Sequence, residues 1–306
     1  MEVAGALDVF RKSRDRNVRY VRYLGDGDSN GFKKVVDDKP YGDEVEVRKL
    51  ECVNHVKKRM GSRLRELKKR LGKTKLKDNR AIGGKNRLTN NDIDKLQEYY
   101  GLAIKRGGSD LQQMVKNVWA TYFHKISNDD TPQHGLCPKG PESWCGYNKA
   151  EALHQTFSHK SHNLPYEVMV QIKQIYRDLA NPDLLKKCLD QKTQNQNESF
   201  NNAVWSKVPK NVFVRLNTLK LGIYDAVLTF NNGFTSKLDV YNKLGIKLSE
   251  KSVAALRNFD TIRLKKAEKS ALDMTKEARV ARRKRKLALE EENEDPDDPE
   301  YGAGMF

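Results

Sequence analysis

Between residues 124 and 145 the chain places His124, His134, Cys137 and Cys145 in one stretch rich in Asp, Pro and Gly. Imidazole nitrogens and thiolates are the donors that Zn2+ selects, and four of them complete a tetrahedral structural site. The eight-residue step from Cys137 to Cys145 is longer than a zinc knuckle allows. A second pair, Cys52-Val-Asn-His55, has a spacing that can put a thiolate and an imidazole on one ion, but a pair alone is insufficient. Two arrangements therefore stand open: a local His124, His134, Cys137, Cys145 site, or a shared site that draws on Cys52 and His55. His154, His159 and His162 follow closely and could replace either histidine, although histidines in polar loops are more often simply solvated.

Carboxylates form the second group. Gly25-Asp26-Gly27-Asp28 closes a predicted strand, where an Asp can project from a rigid edge toward Mg2+, a cation that takes oxygen ligands. The same four residues are also ordinary turn chemistry. Glu198 sits in the polar segment Thr193–Asn201 that opens a helix, with Phe200, Val204 and Trp205 expected to turn into the core. An acid in that position can complete a metal site, or merely favour the positive end of the helix dipole.

The elements that must position these groups read as α/β and mostly helical. A short amphipathic helix from Met1 to Lys12 precedes alternating runs at 19–24 and 44–52, which predict two strands. A very basic helix follows from His55 to Leu71, and strand, loop, strand, helix is an α/β signature. Ile93, Leu96, Tyr100 and Ile104 share one helical face, as do Val168, Ile172, Ile175, Tyr176 and Leu179. Thr89 and Asp92 resemble a capping box for the first of these. The stretch 127–148 is too long and too poor in periodic apolar residues to be regular, so something other than a core must order it. A charged helix is expected from Ser249 to Glu292, ending basic at 279–286 and followed by a disordered acidic tail. These shifts divide the chain at 1–72, 73–190, 191–248 and 249–306.

The net charge is +17, with 32% charged and 37% hydrophobic residues. Residues 290–306 hold eight acidic and no basic side chains, so residues 1–289 carry +25. Such a body suits a polyanion, and nucleic acid is the partner class it points to. Lys57, Lys58, Arg59, Arg63, Lys68, Lys69 and Arg70, within the basic run 57–77, are the candidate phosphate contacts, unless the run is only a solvated helix face. Arg282–Lys286 has the composition of a nuclear localisation signal or of a plain basic helix end. No apolar run is long enough to cross a bilayer and no signal-peptide pattern opens the chain, so a soluble intracellular protein with no membrane partner is expected. Four cysteines are too sparse for a secreted disulfide framework.

Taken together, Tyr23-Leu-Gly-Asp-Gly-Asp-Ser29, Glu51-Cys-Val-Asn-His-Val56, Trp119-Ala-Thr-Tyr-Phe-His124, the run Gln133–Cys145 and Gln194-Asn-Gln-Asn-Glu-Ser-Phe-Asn201 resemble the Mutator-like transposase domain of animal mobile elements and domesticated genes. The resemblance spans roughly residues 1–250. It implies an RNase H-like nuclease core with an Asp, Asp, Glu triad, a Cys-x-x-His motif after the second Asp and a helical insertion before the Glu. Asp26, Cys52, His55 and Glu198 match in that order, with Asp28 as a substitute for Asp26. The expected fold is thus a partial RNase H-like core of two or so strands, a large helical insertion carrying a structural Zn2+, and a long C-terminal helix. Catalytic carboxylates of this family hold Mg2+ or Mn2+ for in-line displacement at DNA phosphates. The first Asp of the triad belongs on the fold's first strand, yet only about twenty residues precede Asp26, and Asp8 lies in a predicted helix. The resemblance therefore implies three missing strands, through a partial gene, decay or a separately supplied half, and weak or absent catalysis by this chain alone. The ending Tyr301–Phe306 also resembles endings in the family. DNA is the implied partner and the nucleus the implied location, with a homo-oligomer in scope. The rivals are a non-enzymatic nuclear nucleic-acid-binding or chromatin protein that kept the fold, and a basic RNA-associated helical protein.

Overall fold

A computed structural model describes residues 2–25, 30–159, 163–273 and 281. The chain divides into two compact units, Met1–Gln196 and Asn197–Phe306. Among the described residues the architecture is mostly helical, with a small two-stranded parallel sheet, so the α/β expectation holds in its helix-rich form.

In the first unit β1 (Arg22–Gly25) pairs with β2 (Arg48–Glu51) in parallel, from Arg22 opposite Arg48 to Gly25 opposite Glu51. Parallel strands need a crossover connection, and α2 (Asn30–Asp38) lies in it, a helix the sequence reading leaves unassigned. Its nine residues offer only Phe32, Val35 and Val36 as periodic signal, too short a run to reveal itself. α2 packs on α1 (Glu2–Arg11), and Phe10, Val35, Tyr41 and Val47 make a small core there. Beyond Glu51 the backbone continues to be satisfied: Glu51 N donates to Lys187 O at 3.0 Å and Val53 N to Lys192 O at 3.2 Å. The strand end is therefore covered rather than left as an open template.

The helical body of this unit comprises α3 (Val53–Arg70), α4 (Asn90–Gly107), α5 (Leu111–Ile126), α6 (Gly146–Ala152), α7 (Tyr166–Leu179) and α8 (Pro182–Lys186). Met60 and Leu64 of α3, Ile93, Leu96, Tyr100 and Ile104 of α4, Met114 and Val118 of α5, and Val168, Ile172 and Tyr176 of α7 join one core. The basic helix α3, grouped on sequence with residues 1–72, thus packs as part of the body formed by residues 90–188. Every fourth or third residue of α3 is apolar between long cations, which is what lets a helix this charged bury one side. The capping box forms as expected, Asp92 N donating to Thr89 Oγ1 and Thr89 N to Asp92 Oδ2. At the turn into α5, a Cβ on Gly107 would stand 2.6 Å from Met114 Cβ, so the close approach of these helices requires glycine.

α9 spans Asn195–Lys207. The second unit then contains α10 (Leu216–Asn232), α11 (Lys237–Lys243) and α12 (Glu250–Asp273). Its interior is sparse: Val204, Val208, Ala226 and Thr229 are buried, and Asp225 joins Lys207 at 3.0 Å and Lys237 at 2.7 Å. Asp260 accepts from the backbone of Phe234 and Thr235, holding the turn at Gly233, whose φ is +87°. Of the three apolar residues expected to turn inward from α9, Val204 does and Phe200 is half-buried against Phe230, but Trp205 is 40% exposed. Consecutive helical residues diverge by about 100°, so a single narrow apolar stripe cannot bury both Val204 and Trp205. The expected charged helix is described to Asp273. The basic stretch 279–286, apart from helical Ala281, and the acidic tail lie outside the described residues.

Candidate metal centre

α5 carries His124 in its last turn, while α6 begins immediately after Cys145, its N-cap. The connection between them is irregular, and local polar chemistry shapes each bend. Thr131 N and Oγ1 both donate to Asn128 Oδ1, and Gln133 N donates to Ser127 Oγ at 2.9 Å. Cys137 N donates to His134 O at 2.9 Å, a tight turn that brings the two side chains to the same side. Asn148, buried on α6, reaches back with Nδ2 to the carbonyls of Cys137 at 3.2 Å and Pro138 at 3.0 Å.

These bends gather four donors. His124, His134, Cys137 and Cys145 have ligand atoms all within 4.8 Å of one another. His124 Nδ1 and His134 Nδ1 stand 3.3 Å apart. Cys137 Sγ is 3.8 Å from each of those nitrogens, and Cys145 Sγ lies 3.6 Å from that of His124 and 3.4 Å from that of His134. A tetrahedron built from zinc–nitrogen and zinc–sulfur bonds of about 2.05 and 2.3 Å has N–N edges of about 3.3 Å and N–S edges of about 3.6 Å. The observed edges match those lengths closely, so this His2Cys2 group could bind zinc. Cys137, Cys145 and His134 are buried, and Tyr147 stacks on His134 with ring centroids 4.5 Å apart.

Electrostatics point the same way. The Cys137 thiol donates to Cys145, which is thereby held well below the ordinary thiol range, while Cys137 is pushed up by that bond and by burial. A thiolate at Cys145 is the form a metal takes. Burial, ahead of the neighbouring charges, lowers the His134 imidazole and so favours the neutral form that a metal ligand takes.

The other candidates are placed differently. Cys52 is the buried N-cap of α3 and His55 lies half-buried in its first turn. Among the described residues no third His, Cys, Asp or Glu joins them, and α5 and the loop after it supply four donors without them. Asp26 and Asp28 lie outside the described residues, as does His162; Glu198 is exposed in the first turn of α9. Gln194, just ahead of that helix, donates through Nε2 to Leu24 O at 3.1 Å, and Asn54 Nδ2 donates to Asn195 Oδ1 at 3.0 Å.

The α3 cations separate into two sets. Lys57 pairs with Glu98, Arg59 with Glu51 at 2.6 Å, Arg63 with Asp178 at 3.3 Å, and Lys68 donates to Asn90 Oδ1 at 3.1 Å. Lys58, Lys69 and Arg70 are exposed and have no ion pair among the described residues. Arg59 faces a Glu51 carboxylate that is only 6% exposed and whose other cation, Lys49, stands farther off at 3.9 Å, so Arg59→Ala would leave a buried charge with its weaker partner alone. Because Arg59 itself is partly solvated, the expected loss is about 2–3 kcal/mol, below the full ~3–5 kcal/mol of an enclosed pair. A urea titration checks it; an unchanged midpoint would show that water already screens Glu51.

No curated protein and no solved structure matches the chain. A family model does, and its span takes in β1, α2, β2, the basic helix α3 and all four donors of the metal centre, the last of which is its final residue: residues 1–145 match the Mutator-like transposase family model.

Proposed function

We propose that the chain is a transposase-derived DNA-binding protein whose insertion is pinned by a structural zinc ion. The match of residues 1–145 to the Mutator-like transposase model carries this reading. The +25 charge on residues 1–289 supports it, since a duplex is bound largely through its phosphates and a basic body raises its local concentration. Within α3, Lys58, Lys69 and Arg70 are the contacts proposed for phosphates. The cations already held by carboxylates serve the fold.

Asp26 and Glu198 are proposed as ligands of Mg2+ or Mn2+. Bound divalent ions in such nucleases activate the attacking oxygen and stabilise the leaving one at a DNA phosphate. The chain's own part would be to offer hard carboxylate oxygens to those ions. Arg282–Lys286 is proposed as a nuclear localisation signal.

The test is an incubation of the full chain with supercoiled DNA at several Mg2+ and Mn2+ concentrations, with binding followed in parallel. Retained complexes support the reading, and their absence at low salt overturns it. Nicking above background that disappears in both Asp26→Ala and Glu198→Ala assigns the carboxylates to strand cleavage. Binding without nicking leaves a transposase-derived binder that performs no cleavage.

A further inference from the structure

His159 and Asp129 lie beside the candidate zinc ligands, outside the donor set. His159, whose side chain is 5% exposed, places Nε2 2.8 Å from His134 Nε2. Its other nitrogen, Nδ1, is 2.6 Å from Asp129 Oδ1, which also accepts from the His159 backbone N at 2.8 Å. Ser127 Oγ closes a triangle with the two imidazoles, 2.8 Å from His134 Nε2 and 3.0 Å from His159 Nε2.

Only one arrangement of protons satisfies all of these contacts once His134 gives its Nδ1 lone pair to a metal. His134 Nε2 must then carry the hydrogen, which it donates toward His159 Nε2 and Ser127 Oγ. His159 Nε2 must accept, so its hydrogen sits on Nδ1 and is donated to the Asp129 carboxylate. Metal-bound imidazoles commonly donate their second N–H in this way, which fixes the tautomer and raises the basicity of the ligating nitrogen. We infer that Asp129 and His159 form an outer-sphere carboxylate–histidine relay that orients His134 and selects its Nδ1 as the zinc donor. Resting on the zinc reading above, the relay also explains why residues 157–159 are held against the loop: His159 packs near-parallel to the His134 ring, at 5.1 Å between centroids, with Phe157 edge-on to it.

His159 is a positioning residue, and the test separates that role from packing. Zinc affinity is measured on the full chain by competition with a chromophoric chelator, and Co2+ is substituted to read the ligand field. His159→Leu fills space but can neither accept nor donate; zinc affinity is expected to fall about 10–100-fold. His159→Gln can accept from His134 and donate to Asp129, and is expected to stay within about threefold of the unsubstituted chain. Asp129→Ala, at a side chain 56% exposed, is expected to cost an intermediate factor without threatening the fold. The tetrahedral Co2+ spectrum of the His159→Leu form should shift, because the His134 ring is no longer oriented. Unchanged affinity in His159→Leu, or equal losses in the Leu and Gln forms, would overturn the relay while leaving the zinc centre standing. An unsubstituted chain that takes up no zinc would remove the centre itself, a separate and distinguishable failure.

Discussion

Cys145→Ser is expected to weaken zinc binding about 100-fold and to loosen the segment 127–159 against the helical body. The residue is fully buried, caps α6 and provides two of the four N–S edges of the tetrahedron. Structural zinc binds small folded peptides by ~10–16 kcal/mol, so one of four ligands is worth on the order of 3 kcal/mol, or about 100-fold in affinity. Metal analysis after dialysis against a competing chelator of intermediate affinity should find one zinc in the unsubstituted chain and a small fraction of that in the variant. Limited proteolysis should then cut between residues 127 and 145, where apolar burial is too thin to hold the backbone alone. The large core of α3, α4, α5 and α7 stands without the metal, so the helical signal in circular dichroism should mostly survive. Retention of a full equivalent of zinc by the Ser variant would show that the four donors do not act as a set.

The second large effect is expected at α3. Lys58→Glu, Lys69→Glu and Arg70→Glu combined should weaken duplex binding on the order of 100-fold at low salt. They should also reduce the dependence of log affinity on log salt by about 3, one unit for each lost phosphate contact. All three positions are exposed and make no ion pair among the described residues, so the thermal midpoint should fall only by the helix-dipole cost of acids at Lys69 and Arg70 in the last turn of α3, about 0.3–1 kcal/mol each. Lys57→Ala is the internal control, because its ammonium is already engaged by Glu98 and should contribute little to DNA. An unchanged salt slope in the triple variant would move the DNA surface away from this helix.

How far these features were legible in the sequence depends on their range. His124, His134, Cys137 and Cys145 could be named because zinc donors are rare residue types and their stretch had no apolar reason to order. What spacing left open was whether Cys52 and His55 shared the ion; that depends on where the end of β2 lies relative to α5, a tertiary fact. The relay through His159 was hidden for a related reason. A histidine in a polar stretch looks solvated until the chain folds back to set it against His134. Periodicity gave α4 and α7 well, since both are long and bury one full stripe. It missed α2, where nine residues carry too few apolar positions, and it placed Trp205 inside because a hydrophobic residue beside Val204 looks like core when the partner surface is unknown. Charge made α3 a candidate nucleic-acid surface but could not say which cations the fold had already claimed. Glu51, Glu98 and Asp178 come from elements distant in sequence and decide that.

A chain of the kind proposed, transposase-derived and zinc-bearing, should bind DNA through its phosphates. Fluorescence anisotropy of the zinc-loaded chain on a labelled duplex, repeated across a salt series, reads that contact. Saturable binding is expected at about 50 mM salt, weakening tenfold or more by about 200 mM along a straight line of log affinity against log salt. Absence of binding at the low-salt end, or binding indifferent to salt, would contradict it.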